Sequence, residues 1–530
     1  MAETKYWECE GSKEDRHALE EYIEVGEPCP ECGRTYDAKK KKTGGGTFPL
    51  GKVLGGVALL GLLCVLGWFL TRPNPDPIDP VVEDPELPVE PIPATPTAPA
   101  QAADDYSWEA KRFTKGQRSL FSGVSSPSIE NGIEAFKQKD YQKAISFFDQ
   151  AVKRNPNEPE PLILFNNAKA RQQGDALTLA VVVPVTGDVD SAKEMLRGVA
   201  MAQNEFNNSG GIGDRFLEIV VADDENNPEI SKQVAQQLAD DPSVLGVIGH
   251  NSSGSSAAGL EVYEAEGLAM ISPTSSSTSL QGNAFFRTTP SDAAAAKKLA
   301  EYVSDNLNIS KVVVFYNPGS NYSTSLKENF ESQFKGTIVK SSELNNPGFN
   351  AKGEVTESVF INEAEAALLF PNKDYIEFAR EIAIENQNIP VEKRLKLLGG
   401  DALFTGQTLI QGGANVEGLV LAVPWSRQSP TSQTFKQAGY DQWNGSVNWR
   451  TAMSYDATEA FINSFDNSNN TRASILEGLR QVRLTSDKTS GIDVQFTMQG
   501  ERQGEPVLVE VAKGVQEKPR GTEFGYKLVE

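Results

Sequence analysis

Histidine is nearly absent from this chain. Two occur in 530 residues, His17 and His250. That excludes a histidine-rich metal centre and leaves one candidate base for a catalytic triad in the bulk of the protein. Cysteine is missing after residue 64: the four are Cys9, Cys29, Cys32 and Cys64. The large remainder is therefore not a disulfide-stapled scaffold. Positive charge is also in deficit. Fifty Lys and Arg face 72 Asp and Glu, for a formal net charge of -22. Such a chain repels a phosphate backbone, so no nucleic-acid partner is expected from bulk electrostatics. What is present fits a globular protein rather than wholesale disorder, with 39% hydrophobic and 23% charged residues. The length allows two to four domains.

One apolar run stands out. Val53 to Leu70 reads VLGGVALLGLLCVLGWFL, 18 residues without a charge, enough for a helix to cross a bilayer core. A secretory signal would start within the first few residues and end at a small-x-small cleavage site; neither holds here. A transmembrane helix is therefore expected within residues 48–71. Lys39 to Lys42 precede it, and basic residues are retained on the cytoplasmic side. This predicts a single-pass protein of the plasma (inner) membrane, its N-terminus cytoplasmic and its C-terminal domain periplasmic or extracellular. The thiols agree, since all lie on the reducing side or in the membrane.

Residues 1–47 then form a cytoplasmic head. PCPECGR at 28–34 has the CxxC, with flanking Pro and Gly, of a zinc-ribbon knuckle. One CxxC is half a site. Cys9 and His17 would complete a set of Cys9, His17, Cys29 and Cys32 around a structural zinc, stabilising a segment too short for much core. A redox pair or free thiols are the alternatives. Residues 72–104 form a proline-rich linker: ten of the 30 prolines fall there, a density that favours extended polyproline II. At about 3.1 Å per residue it reaches on the order of 100 Å.

Residues 105–173 read as helical. From Gly132 the order Gly132, Ala144, Phe148, Ala151, Pro156 resembles the small, aromatic and proline positions of a tetratricopeptide repeat (TPR). One repeat cannot bury its own face, so it must pack on a neighbour, on the next domain or on a partner. A helical hairpin capping the next domain is an equal alternative to a peptide-binding groove. From Leu177 onward, short apolar runs alternate with amphipathic stretches: LTLAVVVPV, FLEIVVADD, VLGVIG, LAMISP, KVVVFYN, EAALLFPN, RLKLLGG and GLVLAV. This is the pattern of βαβ units and parallel sheets covered on both faces. About 350 residues of it exceed one sheet, so two α/β lobes are expected over 174–530.

Several segments in order carry a family resemblance. They are AVVVPVTGDVDSAKEMLRGVAMAQNEFNNSGGIGDRFLEIVVADDENNP, VLGVIGHNSSGSSAAGLEVYEAEGLAMISPTSSS, FFRTTPSD, VVVFYNPGSNYSTS and LLGGDALFTG. Over residues 177–515 the chain resembles the leucine/isoleucine/valine-binding type of ABC transporter substrate-binding protein, the type 1 periplasmic-binding fold. The resemblance implies a hinged two-lobe clamp with ligand between the lobes, at the carboxyl ends of the strands. It places Ser253 on the α-carboxylate of an amino acid, Thr274 at a backbone-contact position, and Ser276 where a threonine usually serves both carboxylate and ammonium. Tyr322 falls at a cleft tyrosine. Asp401 falls at the acid that receives the ammonium, one methylene shorter than the family's usual Glu. Strand-to-helix turns favour a carboxylate without Lys or Arg, and a buried ammonium needs a counter-charge. Serine-rich turns and helix caps are the plainer reading of Ser253 and Ser276. Asp401 alone is an equally good helix cap, and Tyr322 an equally good core residue.

Other motifs carry less. GGIGD at 210–214 follows a helix and precedes a strand, the reverse of a phosphate loop. It reads as a helix C-cap with Gly210 or Gly211 at positive φ. Asp223, Asp224 and Glu225 read as a solvated loop rather than a metal cluster, and His250 as a turn residue at the cleft floor. No nucleophile–base pair is visible, so no enzyme is expected and the binding domain needs no cofactor. The expected function is capture of an amino acid, branched-chain or related, for delivery to an ABC permease. The alternative is a membrane-anchored ligand sensor or scaffold working through the cytoplasmic head.

Overall fold

A computed structural model describes residues 6–11, 16–24, 110–123, 126–467 and 470–529. The chain divides into two compact units, 1–100 and 101–530. In the first, strands β1 (Tyr6–Gly11) and β2 (Arg16–Glu24) pair antiparallel. Cys9 belongs to β1 and His17 to β2. Cys29, Cys32, the expected membrane helix at 48–71 and the linker at 72–104 lie outside the described residues. Among the described residues no helix is long and apolar enough to cross a membrane.

The second unit opens with a short strand, β3 (Phe113–Thr114), and three helices: α1 (Pro127–Lys137), α2 (Tyr141–Arg154) and α3 (Pro159–Gln173). Ala144, Phe148 and Ala151 are buried between them. Gly132 is required because a Cβ there would lie 2.5 Å from the Phe148 ring. Asn167 on α3 locks the helices to the adjoining lobe. Its side chain accepts from the Ile219 N–H at 2.8 Å and donates to the Ile219 carbonyl at 2.7 Å, so the helical segment caps that lobe.

That first lobe contains β4 (Leu177–Val183), α4 (Val189–Asn208), β5 (Leu217–Asp223), α5 (Pro228–Asp240), β6 (Val244–Ile248), α6 (Ser253–Glu266), β7 (Ala269–Ser272) and β8 (Phe285–Arg287). The sheet order is β3-β5-β4-β6-β7-β8, parallel except for β3. Every residue of β4 and β5 is buried, as continuous apolar runs covered on both faces must be. Helix starts are set locally. Asn227 accepts from the N–H groups of Glu229 and Ile230 while Pro228 takes the first helical position, where a missing N–H costs nothing. At the α4–β5 turn both Gly210 and Gly211 take positive φ, 99° and 71°.

The second lobe contains α7 (Asp292–Glu301), β9 (Lys311–Tyr316), α8 (Asn321–Gln333), β10 (Thr337–Glu343), α9 (Ala351–Phe360), β11 (Ala366–Phe370), α10 (Ile376–Gln387), β12 (Lys396–Gly399), α11 (Gly406–Gly412) and β13 (Val420–Val423). The chain then returns to the first lobe as α12 (Gln433–Trp443), α13 (Trp449–Ser464) and α14 (Arg472–Gln481). It ends with β14 (Val507–Lys513) and β15 (Phe524–Leu528), antiparallel on the second sheet, whose order is β10-β9-β11-β12-β13-β14-β15. Three crossings therefore join the lobes: after β8, after β13 and before β14. Helix α13 packs along α4 and is buried around most of its circumference.

At the crossings, Arg502 is the central tie. Its guanidinium donates to Asp456 on α13 at 2.8 Å, to the Thr288 carbonyl at 3.1 Å and to the Ile492 carbonyl at 2.6 Å. Arg287, fully buried, reaches the carbonyls of Ser275, Ser277 and Leu280 and pairs with Glu501 at 2.7 Å. It thereby fixes the serine-rich loop after β7.

Candidate functional site

A cleft of about 1340 Å³ runs between the lobes. Its walls are strand tips and helix starts, because parallel βα units direct their turns to one edge of each sheet. On the first lobe, Ser252 caps α6 by accepting from the Ser255 N–H. Ser252, Ser253 and Gly254 at this helix start line the cleft. Ser253 is buried, and its hydroxyl accepts from the Ser277 N–H at 3.4 Å. Thr274 lines the same wall. Its hydroxyl is turned inward, donating to the carbonyls of Asn251 and His250 at 2.8 and 3.1 Å, so its side chain holds the loop rather than offering a donor.

On the second lobe, Asp401 follows β12 and Tyr322 lies in the first turn of α8. The Tyr322 hydroxyl donates to Asp401 Oδ1 at 3.0 Å. Gly400 permits this approach, since a Cβ there would sit 2.3 Å from the hydroxyl. Burial raises the Asp401 carboxyl above the ordinary range; the positive charge of Arg450 and the tyrosine hydroxyl oppose that rise. Burial, reinforced by the carboxylate, lifts the Tyr322 phenol well above its usual value, so it stays a donor.

Ser253, Thr274, Tyr322 and Asp401 thus meet in one cleft. Ser276 is not among the residues lining it: its side chain is buried behind the wall, against Asp292. Asp292 begins α7, is buried, and is pushed up to about 7 by that burial, with Asp401 adding to the rise. Sequence reasoning placed it within FFRTTPSD without giving it a role. An acid opening a helix directly after a strand and Pro290 was the available signal. Arg450 and Trp449 at the start of α13 also line the cleft. No local motif marks them, because they arrive from a chain segment that has crossed back to the first lobe.

Two expectations are corrected. Asp223 and Asp224 do not form a solvated loop. Both are buried, Asp223 accepting from Thr186 and Asp224 from Ser231 at 3.0 Å. His250 is not at the cleft floor: its ring is fully buried between Asp224, at 2.7 Å from Nδ1, and the Tyr263 hydroxyl, at 3.1 Å from Nε2. Polar spacing alone could not show that the three residues close on one another beneath the sheet edge. Among the described residues no cluster of three or more His, Cys, Asp or Glu is arranged to hold a metal ion.

Two lobes, three crossings and a polar cleft at the strand tips define a solute-binding clamp of the type 1 periplasmic-binding fold. The chain belongs to the periplasmic binding protein family, whose model matches residues 176–509. That family is one of ligand-binding proteins, not enzymes. The chain is 27% identical over 185 residues to a leucine-, isoleucine-, valine-, threonine- and alanine-binding protein of Pseudomonas aeruginosa, covering 33% of this chain and 49% of that one. To Leu/Ile/Val-binding protein homolog 1 of Brucella suis it is 25% identical over 277 residues, 50% and 72% of the two chains. The chain spans about half the length of several curated relatives it matches. A solved ABC transporter substrate-binding protein from Desulfitobacterium hafniense, in complex with Leu, superposes with a TM-score of 0.56 at 23% identity, covering 67% of this chain and all of that one.

Proposed function

We propose that residues 174–530 are an extracytoplasmic clamp that captures an amino acid, branched-chain or related, and hands it to an ABC permease. Ser253 and the α6 N-terminus receive the α-carboxylate, Thr274 contributes backbone, Asp401 held by Tyr322 takes the ammonium, and Ser276 acts from behind the wall. The observation that supports this most directly is the pairing in one cleft of a serine-lined helix start with a buried carboxylate from the opposite lobe. A zwitterion matches that separation of sign. The relatives named for leucine, isoleucine and valine point to the same class. In this reading the apolar run at 53–70 anchors the chain, and Cys9, His17, Cys29 and Cys32 hold a structural zinc in the head.

The test is calorimetry of the full-length chain against the α-amino acids and against 4-methylpentanoate, the deamino analogue of leucine. One-to-one binding of an amino acid, lost in the deamino analogue and weakened about tenfold by Ser253→Ala, is expected. An absence of binding by every amino acid overturns the reading.

A further inference from the structure

One cation lining the cleft, Arg450, closes no ion pair among the described residues. Arg450 is the second residue of α13, whose start is fixed by Asn448 accepting from the Arg450 N–H at 2.8 Å. Its guanidinium lies 4.3 Å from the Trp449 ring centroid, and Trp449 is itself almost wholly buried. The Arg450 Nε is shielded from solvent and has no hydrogen-bond partner. Asp401, Asp188 and Glu194 are near enough to act on it through space, yet among the described residues none of them closes an ion pair with it.

The other cleft cations are engaged. Lys193 pairs with Glu158 at 2.7 Å and Arg197 with Glu194; Arg380 pairs with Glu377 at 2.7 Å. Lys373 lies 3.5 Å from Asp374, Arg427 lies 3.9 Å from Glu517, and Lys518 donates to the Thr522 carbonyl at 2.8 Å. Arg450 is therefore set apart by its lack of a partner and by its rigid support. A guanidinium stacked on a buried indole has lost freedom before any ligand arrives, so little further ordering is needed when it binds.

Closure over an aliphatic side chain would strand this charge in a dry site, which is costly. A carboxylate there would accept two parallel N–H bonds, the geometry arginine is built for. We propose that the clamp is selective for an amino acid whose side chain ends in a carboxylate, received by Arg450 while Asp401 holds the ammonium. The proposal rests on the amino-acid reading above and narrows its ligand class.

The experiment is calorimetry of the full-length chain with L-glutamate, L-aspartate, L-glutamine and L-leucine, for the wild type, Arg450→Met and Arg450→Lys. The wild type is expected to prefer glutamate or aspartate to leucine by at least tenfold. Arg450→Met is expected to shift the acidic-to-neutral preference by about thirtyfold toward leucine. Arg450→Lys should recover part of the shift, which a merely structural role for the arginine would not produce. Leucine bound more tightly than both acids by the wild type overturns the proposal and leaves the amino-acid reading standing. An equal loss of glutamate and leucine in Arg450→Met also overturns it, because the arginine then serves the α-carboxylate. Binding of none of the four by the wild type overturns the proposal, and extension of that result to all amino acids removes the reading beneath it. Thermal unfolding of each variant, expected within a few degrees of the wild type, shows that the comparison is between folded proteins.

Discussion

Tyr322 and Asp401 are joined by a hydrogen bond of 3.0 Å although they lie 79 positions apart in sequence. One comes from the first turn of a helix and the other from the turn after a strand. The bond orients the carboxylate, and Gly400 beside it leaves the space. Asp401→Asn keeps the shape and removes the negative charge. If the ammonium rests there, binding of the preferred amino acid should weaken by about 2 kcal/mol or more, some thirtyfold. Apo stability should hold or rise slightly, since burial already disfavours the ionised form. Calorimetry with parallel thermal unfolding reads both. Unchanged affinity removes Asp401 from the site.

The crossings between lobes offer a second test. Arg502 and Asp456 form a buried ion pair at 2.8 Å, with Ser490 also donating to the acid. Removing one member of such a pair leaves the other uncompensated, at a cost of about 3–5 kcal/mol. Arg502→Met should therefore lower stability by several kcal/mol in urea, and adding Asp456→Asn should restore part of it. A double variant no more stable than Arg502→Met shows that the arginine acts through its carbonyl contacts instead.

The same elements show what a sequence can and cannot reveal. β4 and β5 were legible because a parallel strand covered on both faces has to be apolar throughout. β10, an edge strand reading TIVKSSE, has only one buried residue and lacks that signature. α13 is buried on nearly every side, so it has no apolar stripe to betray which lobe it joins. Ser253, Thr274, Tyr322 and Asp401 were found through the family's order of segments rather than through local chemistry. Arg450 and Asp292 were missed because their significance lies in their proximity to Asp401, from which they stand 49 and more than 100 positions away in sequence, a relation that only the folded chain contains. Asp224 and His250 failed for the same reason in reverse: residues that look solvated in isolation are buried by each other.

The return of α13 to the first lobe depends on one small residue. Gly198 on α4 faces the backbone of α13: a Cβ would lie 2.2 Å from the Thr451 carbonyl oxygen and 2.6 Å from the Tyr455 nitrogen. Alanine at a helix interior gains about 1 kcal/mol in propensity. Here the obstruction is main chain, which cannot turn aside as a side chain can, and overpacking costs about 1–3 kcal/mol. Gly198→Ala should lower the urea midpoint by an equivalent of about 2 kcal/mol. A midpoint that stays or rises means the two helices separate more readily than their packing suggests.

Stability should also depend on pH through Glu160, which ties the segment before α1 to α3. Its carboxyl is fully buried and pushed up to about 7, mainly by that burial, while hydrogen bonds from the Leu120 N–H at 2.7 Å and the Ser119 hydroxyl work against the rise. In the unfolded chain it titrates near about 4.3. Below that value both states hold the proton and the group contributes its full stabilisation. Between roughly 4.3 and 7 the folded state keeps a proton that the unfolded state has released, so stability falls as pH rises, then levels off. The whole change is roughly 3–4 kcal/mol. Asp292 and Glu459, pushed up to about 7 and about 8, act in the same direction, so the wild-type slope alone does not isolate Glu160. Glu160→Gln does. Its amide oxygen can accept from Leu120 and its nitrogen can donate to Ser119, with no charge to lose. Denaturant unfolding from pH 4 to pH 8 should show the variant gaining on the wild type as pH rises. Parallel curves for the two proteins would mean that Glu160 is ionised in the folded state throughout, stabilised by its two donors despite its burial.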